Sequence, residues 1–540
     1  MNVTALIPAF LFAPGSPSFA NRVLDAMFDT TFQGIHHLEF FDWAVMVPYF
    51  AILTVLSVYG MHRYEMIRGR MKHRKRVGLP PPARFNQLPP VTIQLPIYNE
   101  RFVVERLLDA ISKIEYPRHL LQVQVLDDST DETHPFTEAL VGEYQANGFP
   151  IVYIHRTNRH GFKAGALENG LHTATGEFVA IFDADFVPPP DFLERTIHQF
   201  TDPQVGMVQT RWTYLNRDYN LLTEVQAMLL DGHFALEHVA RAGGGLFFNF
   251  NGTAGIMRRS MIGDAGGWQH DTLTEDSDLS YRAQLKGWKF VYLPDVECPS
   301  ELPVETYGFQ VQQSRWAKGL TQVAIKLLPS ILRSKLPWRV KAEAFFHLTP
   351  NVSYPMMIVA SVLMLPVMIV RFYMGWFEML VIDMPLVIAS FLSIGAFYLA
   401  AERALYPQTW KRSILFLPLL FASGVALTII NAKAVIEALI GYQTAFARTP
   451  KYAIGGQKGK VADAQYRSRS GWLPYAEIAA GTCFLGGIVY AIDSYNFMAI
   501  PFLLLFLSGY YWAGFTTLWA EYQGKLAFER ARALAAKAEA

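Results

Sequence analysis

Residues 43–60 (WAVMVPYFAILTVLSVYG) carry no charged side chain, and a helix of that length is about long enough to cross the hydrocarbon core of a bilayer. No other feature limits the fold as strongly, because inside lipid every backbone polar group must be bonded within its own segment. Residues 61–76 (MHRYEMIRGRMKHRKR) follow at once, and a basic cluster at the end of a span marks its cytoplasmic side. Apolar residues concentrate here and after about residue 345, whereas residues 89–335 have the composition of a soluble domain. The expected plan is a cytoplasmic insert, residues 80–335, between residues 1–79 and residues 336–540. The apolar stretch 6–14 has no basic residues before it, so an interfacial segment is expected there rather than a cleaved signal peptide.

Downstream, residues 351–370 and 378–401 read as two spans joined by a tight turn at 371–377, and residues 472–492 and 497–519 as a second hairpin. Residues 413–430 are apolar enough to span as well. Yet Arg403, Lys411 and Arg412 precede them, and Arg448, Lys451, Lys458, Lys460, Arg467 and Arg469 follow. A single crossing would place one basic flank outside, so residues 413–441 read as an interfacial or re-entrant helix, with two short spans as the alternative. The expectation is a multi-pass protein of the cytoplasmic (inner or plasma) membrane, in contact with membrane lipid, with about four spans after the insert. Composition excludes other classes. Lys+Arg 47 against Asp+Glu 46 leaves a formal net charge of +1, so no basic surplus directs the chain to nucleic acid. The only two cysteines, Cys298 and Cys483, lie far apart, which excludes a disulfide framework and a cysteine-based zinc site.

Within the insert, the prolines at 80–82 and 89–90 form a stiff linker. Residues 91–95 (VTIQL) then read as a buried strand, residues 100–114 as a helix and residues 123–126 (VQVL) as a second strand. The helix is expected because Val103, Val104, Leu107, Leu108 and Ile111 recur at helical spacing. Alternating strands and helices predict an α/β domain with a parallel, doubly covered sheet, and such sheets bind ligands beyond the carboxyl ends of their strands. At those ends lie carboxylates: Asp127-Asp128 after VQVL, and Asp183-Ala184-Asp185 after residues 178–182 (FVAIF). A strand-end Asp-x-Asp suits a hard cation such as Mg2+ or Mn2+, which takes oxygen ligands and keeps positions open for substrate phosphates. Taken alone, an Asp-rich turn before Pro188-Pro189-Pro190 is the commoner explanation, and two such motifs at parallel strand ends weaken it.

Thr274-Glu275-Asp276 precedes an expected helix at 279–286, where capping by Thr274 or Asp276 is the alternative to catalysis. In Gln312-Gln313-Ser314-Arg315-Trp316, the arginine can fork onto phosphate oxygens and the tryptophan offers a flat face to a sugar, unless the segment is an ordinary amphipathic helix. Lys163 is a further candidate phosphate contact, against an ordinary solvated lysine.

The ordered set Asp127-Asp128, Asp183-Ala184-Asp185, Thr274-Glu275-Asp276 and Gln312-x-x-Arg315-Trp316 resembles the D, DxD, TED, QxxRW signature of processive family 2 glycosyltransferases, of which cellulose synthase is the best-known member. The wording between these motifs (NRHGFKAGAL, EFVAIFDADF, FNGTAGIMRR, GWKFVYLPD) looks most like the cellulose-synthase-like A and C branch, the mannan, glucomannan and glucan synthases. The resemblance implies a GT-A fold, a nucleotide-diphosphate sugar donor and Mg2+ or Mn2+. It also implies inverting formation of β-glycosidic bonds on a growing β-glycan that is translocated through the membrane helices. By position, Asp127 or Asp128 would hold base and ribose, Asp183 and Asp185 the metal and diphosphate, and Lys163, Gln312 and Arg315 the rest of the nucleotide sugar. Asp276 would be the general base, flanked by Thr274 and Glu275. Trp316 would stack on the acceptor, and Phe248, Asn251 and Gly252 occupy the place of an acceptor-binding motif. Phe446-Ala447-Arg448-Thr449-Pro450-Lys451 resembles the family's gating loop, placed at 442–460, with Phe446, Thr449 and Lys451 matching and Arg448 replacing the usual valine. The donor is left between UDP-glucose and GDP-mannose. A non-processive enzyme that adds one sugar to a lipid, like ceramide glucosyltransferase, is the alternative, and an export partner protein is left open.

Overall fold

The computed structural model describes residues 39–372, 385, 386, 388–444, 451, 453, 470–493 and 497–539. The stretch 6–14 and the gating-loop residues Phe446 and Thr449 lie outside the described residues. The insert is built on seven strands: β1 (Val91–Ile97), β2 (Leu121–Asp127), β3 (Ile151–His155), β4 (Phe178–Ile181), β5 (Val205–Tyr214), β6 (Gly255–Arg258) and β7 (Lys289–Ser300). Their order across the sheet is β3-β2-β1-β4-β6-β5-β7. The first four pair parallel, β6 runs antiparallel to both β4 and β5, and β7 returns parallel to β5. The sheet is thus mixed and mostly parallel, as expected for the GT-A fold. β1 and β4 are buried almost end to end, the pattern of strands covered on both faces. The helix expected at 100–114 spans Val104–Ser112, with Val104, Leu107, Leu108 and Ile111 buried toward the sheet.

Five helices among the described residues are long and apolar enough to cross a membrane: Phe40–Arg76, Pro350–Arg371, Ile388–Leu405, Leu473–Asp493 and Ile500–Leu526. The charge-free run 43–60 opens a helix of 34 residues, Phe40–His73, about 51 Å long at 1.5 Å per residue. Such a helix outreaches the hydrocarbon core and carries the basic cluster beyond it. The segment read as interfacial or re-entrant is a broken pair, Trp410–Ala426 and Thr428–Leu439, bent by 41°.

Ion pairs fasten these helices to the insert. Arg217 donates to Asp231 (2.5 Å), Glu224 (3.1 Å) and Glu402 (3.0 Å), the last on the Ser393–Leu405 helix. Lys318, on the Thr306–Arg333 helix, donates to Glu437 (2.9 Å) on Thr428–Leu439 and to Thr444 (2.9 Å). The helix that bears Gln312, Arg315 and Trp316 is therefore tied to the membrane-side helices as well as to the segment around Leu273 and Asp278, through Gln322 and Lys326.

Candidate active site

One cleft opens at the carboxyl ends of β1, β2 and β4, where open α/β sheets place their ligands. Asp128, Asp183, Asp185, Lys163, Asn251, Gly252, Thr274, Glu275, Asp276, Gln312, Arg315, Trp316 and Lys451 all line it. Residues separated by nearly the length of the domain thus converge on one space.

The two β2-end aspartates part company. Asp128 faces the cleft and is gripped by Arg156, with Nε to Oδ1 at 2.8 Å and Nη2 to Oδ2 at 2.5 Å. Asp127 turns away from the cleft and is fully buried. Its carboxylate accepts from the Tyr153 hydroxyl (2.5 Å) and the Ser129 amide (2.9 Å). Beyond β1, Arg159 lies 3.3 Å from the centre of the Tyr98 ring, a cationic stacking platform on the same wall. Neither Tyr98 nor the arginine pair Arg156 and Arg159 was singled out from the sequence. The basic run HRTNRHG, which starts on the last residue of β3 at a strand end in a parallel sheet, is the signal that finds the two arginines, and Tyr98 directly follows the end of β1.

At the β4 end each aspartate meets an ammonium group. Lys163 pairs with Asp183 and also donates to the Gly252 carbonyl at 2.9 Å. Lys451 donates to Asp185 at 2.6 Å and to the Glu301 carbonyl at 2.7 Å. Burial pushes the Asp183 carboxyl up, Lys163 pulls it down and Asp185 adds to the rise.

Across the cleft, the helix expected at 279–286 starts a turn earlier, at Glu275, and runs to Leu285. Thr274 occupies its N-cap position without a side-chain capping bond, and Asp276 Oδ1 accepts from the Ser277 amide at 2.7 Å. The Asp276 carboxyl is pushed up to about 7 by burial and by Glu275, with Lys163 opposing. A carboxylate held near neutrality in a cleft is poised to accept a proton.

Gln312, Arg315 and Trp316 stand at i, i+3 and i+4 on the Thr306–Arg333 helix, which puts all three on one face. Gly319, one turn further on, sets the spacing between this helix and the Thr274 loop. A Cβ there would lie 2.5 Å from Thr274 Cγ2 and 2.8 Å from the Thr274 backbone nitrogen. Gly319→Ala is therefore expected to cost about 1–3 kcal/mol by overpacking and to depress turnover by displacing Asp276 from Arg315, checked by a denaturation midpoint and a kinetic assay on the same preparation.

Phe248, like Asp127, lies off the cleft. It is 1% exposed and packs edge-on against His238 and Phe290, within a run, 248–250, that is buried throughout, while Asn251 and Gly252 after it line the cleft.

Residues 89–319 match the model of the glycosyltransferase-like family 2. The chain is 46% identical over 252 residues to glucomannan 4-beta-mannosyltransferase 1 of Oryza sativa subsp. japonica, an alignment covering 46% of this chain and 48% of that protein. To glucomannan 4-beta-mannosyltransferase 2 of Arabidopsis thaliana it is 44% identical over 255 residues, with 46% and 48% covered. The match thus spans about half the length of these curated relatives. Among solved structures, a mannosyltransferase from Pyrobaculum calidifontis in complex with GDP-Man and Mn2+ aligns with a TM-score of 0.49 and 24% identity, over 67% of this chain and 99% of that one. With its strand-end aspartates and its mixed sheet, the domain over residues 89–319 matches the glycosyltransferase-like family 2 and has the GT-A fold.

Proposed function

We propose that the chain is a membrane-embedded, processive, inverting β-glycosyltransferase that builds a β-linked mannan or glucomannan from a nucleotide-diphosphate hexose. The observation that carries this reading is the convergence of a carboxylate held near neutrality, Asp276, with Lys163, Arg315, Trp316 and the Asp183–Asp185 pair in one cleft. The names of its relatives favour GDP-mannose over UDP-glucose as donor.

Asp183 and Asp185 fit a divalent cation. Both are oxygen donors at a strand end open to the cleft, and each is balanced by a lysine ammonium, the positive charge that a dication would equally supply. Bound there, Mg2+ or Mn2+ would neutralise charge building on the departing diphosphate.

The chain's own residues do the rest. Lys163 and Arg315 bind diphosphate oxygens, and Gln312 completes that wall. Asp128 and the Tyr98–Arg159 platform hold the nucleoside end. Trp316 gives the acceptor sugar a flat face, with Asn251 and Gly252 beside it. Asp276 takes the proton from the attacking hydroxyl as the new C–O bond forms on the face opposite the leaving group, so a single displacement inverts the anomeric centre. Lys451 supports processivity, because it belongs to the segment resembling the gating loop and already reaches the β4-end aspartate. The basic cluster after the first membrane helix supports a cytoplasmic face for the cleft, and the apolar helices support passage of the polymer through the membrane.

Because the base must be ionised to work, turnover at saturating donor is expected to rise with pH, with a midpoint near 7, in a pH–rate profile. The reading itself is tested by incubating detergent-purified protein with Mn2+ or Mg2+ and, separately, GDP-mannose, UDP-glucose and GDP-glucose. Nucleotide release and high-molecular-weight product are followed, and the product is digested with linkage-specific glycanases. Polymer cleaved by β-mannanase is the expected result. Release onto a lipid without polymer would replace the reading with a single-sugar transferase, and no turnover with any donor would overturn it.

A further inference from the structure

The helix that begins at Leu221 changes its winding for six residues, His233–His238, which form a π-helical turn before α-helix resumes at Val239. In an α-helix, residues five apart point about 140° away from each other at 100° per residue. The i→i+5 bonding of a π turn brings them onto one face instead. Here that brings the imidazoles of His233 and His238 to a centroid separation of 4.3 Å, and both reach a single side chain, Asn251. His238 Nε2 lies 2.6 Å from Asn251 Oδ1, and Asn251 Nδ2 lies 2.9 Å from His233 Nε2.

The proton positions follow from the other ends of the rings. His233 Nδ1 faces Glu237 Oε2 at 2.9 Å and donates to it, which leaves Nε2 to accept from the Asn251 side-chain amide. His238 Nδ1 is buried and has no hydrogen-bond partner among the described residues, so a proton there would be orphaned and belongs on Nε2, donated to Asn251 Oδ1. Burial and the neighbouring His233 and Arg241 hold the His238 imidazole well below its usual range, which keeps it neutral. Glu237 is itself anchored. Arg241 donates to it at 3.1 Å and to Glu343 at 2.8 Å, and Glu343 lies 2.8 Å from His62 on the first membrane helix.

The clamped residue opens the loop on which the cleft is assembled. The Asn251 backbone N–H donates to Gln209 Oε1 at 2.9 Å, the Gly252 carbonyl accepts from Lys163 at 2.9 Å, and the Thr253 hydroxyl accepts from the Asp183 backbone N–H at 2.8 Å. Gly252, at φ +82°, lies so close to the base that a Cβ would sit 3.0 Å from Asp276 Oδ2.

We propose that His233 and His238 are positioning residues for sugar transfer: through Asn251 they hold loop 251–253 so that Lys163, Asp183 and Asp276 keep their mutual geometry. The proposal rests on reading the cleft as a sugar-transfer site. Neither histidine lines the cleft, and both act through the amide they grip.

The test uses the full chain in detergent with His238→Leu, which removes the donor, and His238→Gln, whose amide can still donate. In His238→Leu, kcat is expected to fall about 10- to 100-fold, the scale of a small misplacement of reacting groups, with the donor KM within about twofold of wild type. His238→Gln is expected to recover to within about threefold of wild type. Hydrogen–deuterium exchange provides a readout that needs no turnover. The peptide spanning 248–256 is expected to exchange about tenfold faster in His238→Leu, while β1 and β4 keep their protection. Unchanged kcat with unchanged loop exchange would overturn the clamp, as would a His238→Gln protein impaired like His238→Leu. Equal loss of protection in loop and strands would also overturn it, since that marks general destabilisation. If the wild type transfers no sugar, the proposed function falls while the exchange result still decides for or against the clamp.

Discussion

Asp276→Asn is expected to lower polymer formation by about 10²- to 10⁴-fold, the usual contribution of a general base, while donor binding stays measurable. The substitution keeps the shape of the side chain and the oxygen that accepts from the Ser277 amide, so the start of the Glu275–Leu285 helix should survive. It removes one of two neighbouring carboxylates whose repulsion, added to burial, holds Asp276 up at about 7. Losing that negative charge near the diphosphate site should leave donor affinity equal or slightly better. Equilibrium binding of the sugar nucleotide and a polymer assay on one preparation separate the two effects. A variant that polymerises at the wild-type rate would remove Asp276 from the mechanism.

Asp183→Ala is expected to abolish metal-dependent donor binding and to reduce turnover by at least about 100-fold, since a bound cation contributes several kcal/mol of charge stabilisation. The loss has two parts. One of two strand-end oxygen donors disappears, and Lys163 keeps only the Gly252 carbonyl out of its two bonded partners. Asp183→Asn separates them, because it keeps a polar oxygen near Lys163 while removing the negative charge that a cation requires. Titrating Mn2+ against donor binding reads the outcome. Unchanged metal dependence in both variants would place the cation elsewhere in the cleft.

Much of this site is legible along the chain because its parts are local. Alternating apolar strands and helices of parallel-sheet type indicate where strands end, and aspartates at strand ends must then share a rim. The i, i+3, i+4 spacing of Gln312, Arg315 and Trp316 places them on one helical face without further information. The sequence leaves the capping alternative for Thr274 open, and only the folded arrangement shows that its side chain makes no capping bond.

By itself, then, the sequence determines the α/β insert between apolar helices, the aspartates at its strand ends and the helical face that bears Gln312, Arg315 and Trp316, since periodicity and chain-neighbour spacing carry that information. The tertiary structure decides which of Asp127 and Asp128 faces the cleft, and that Phe248 packs inward while Asn251 and Gly252 do not. It also decides that Lys451 meets Asp185 across 266 positions, and that two histidines on a π turn grip Asn251. These outcomes depend on the direction a side chain takes in an irregular segment and on pairings between distant elements. Both are set by competition for burial and hydrogen-bond partners in the packed molecule, and no local spacing encodes them.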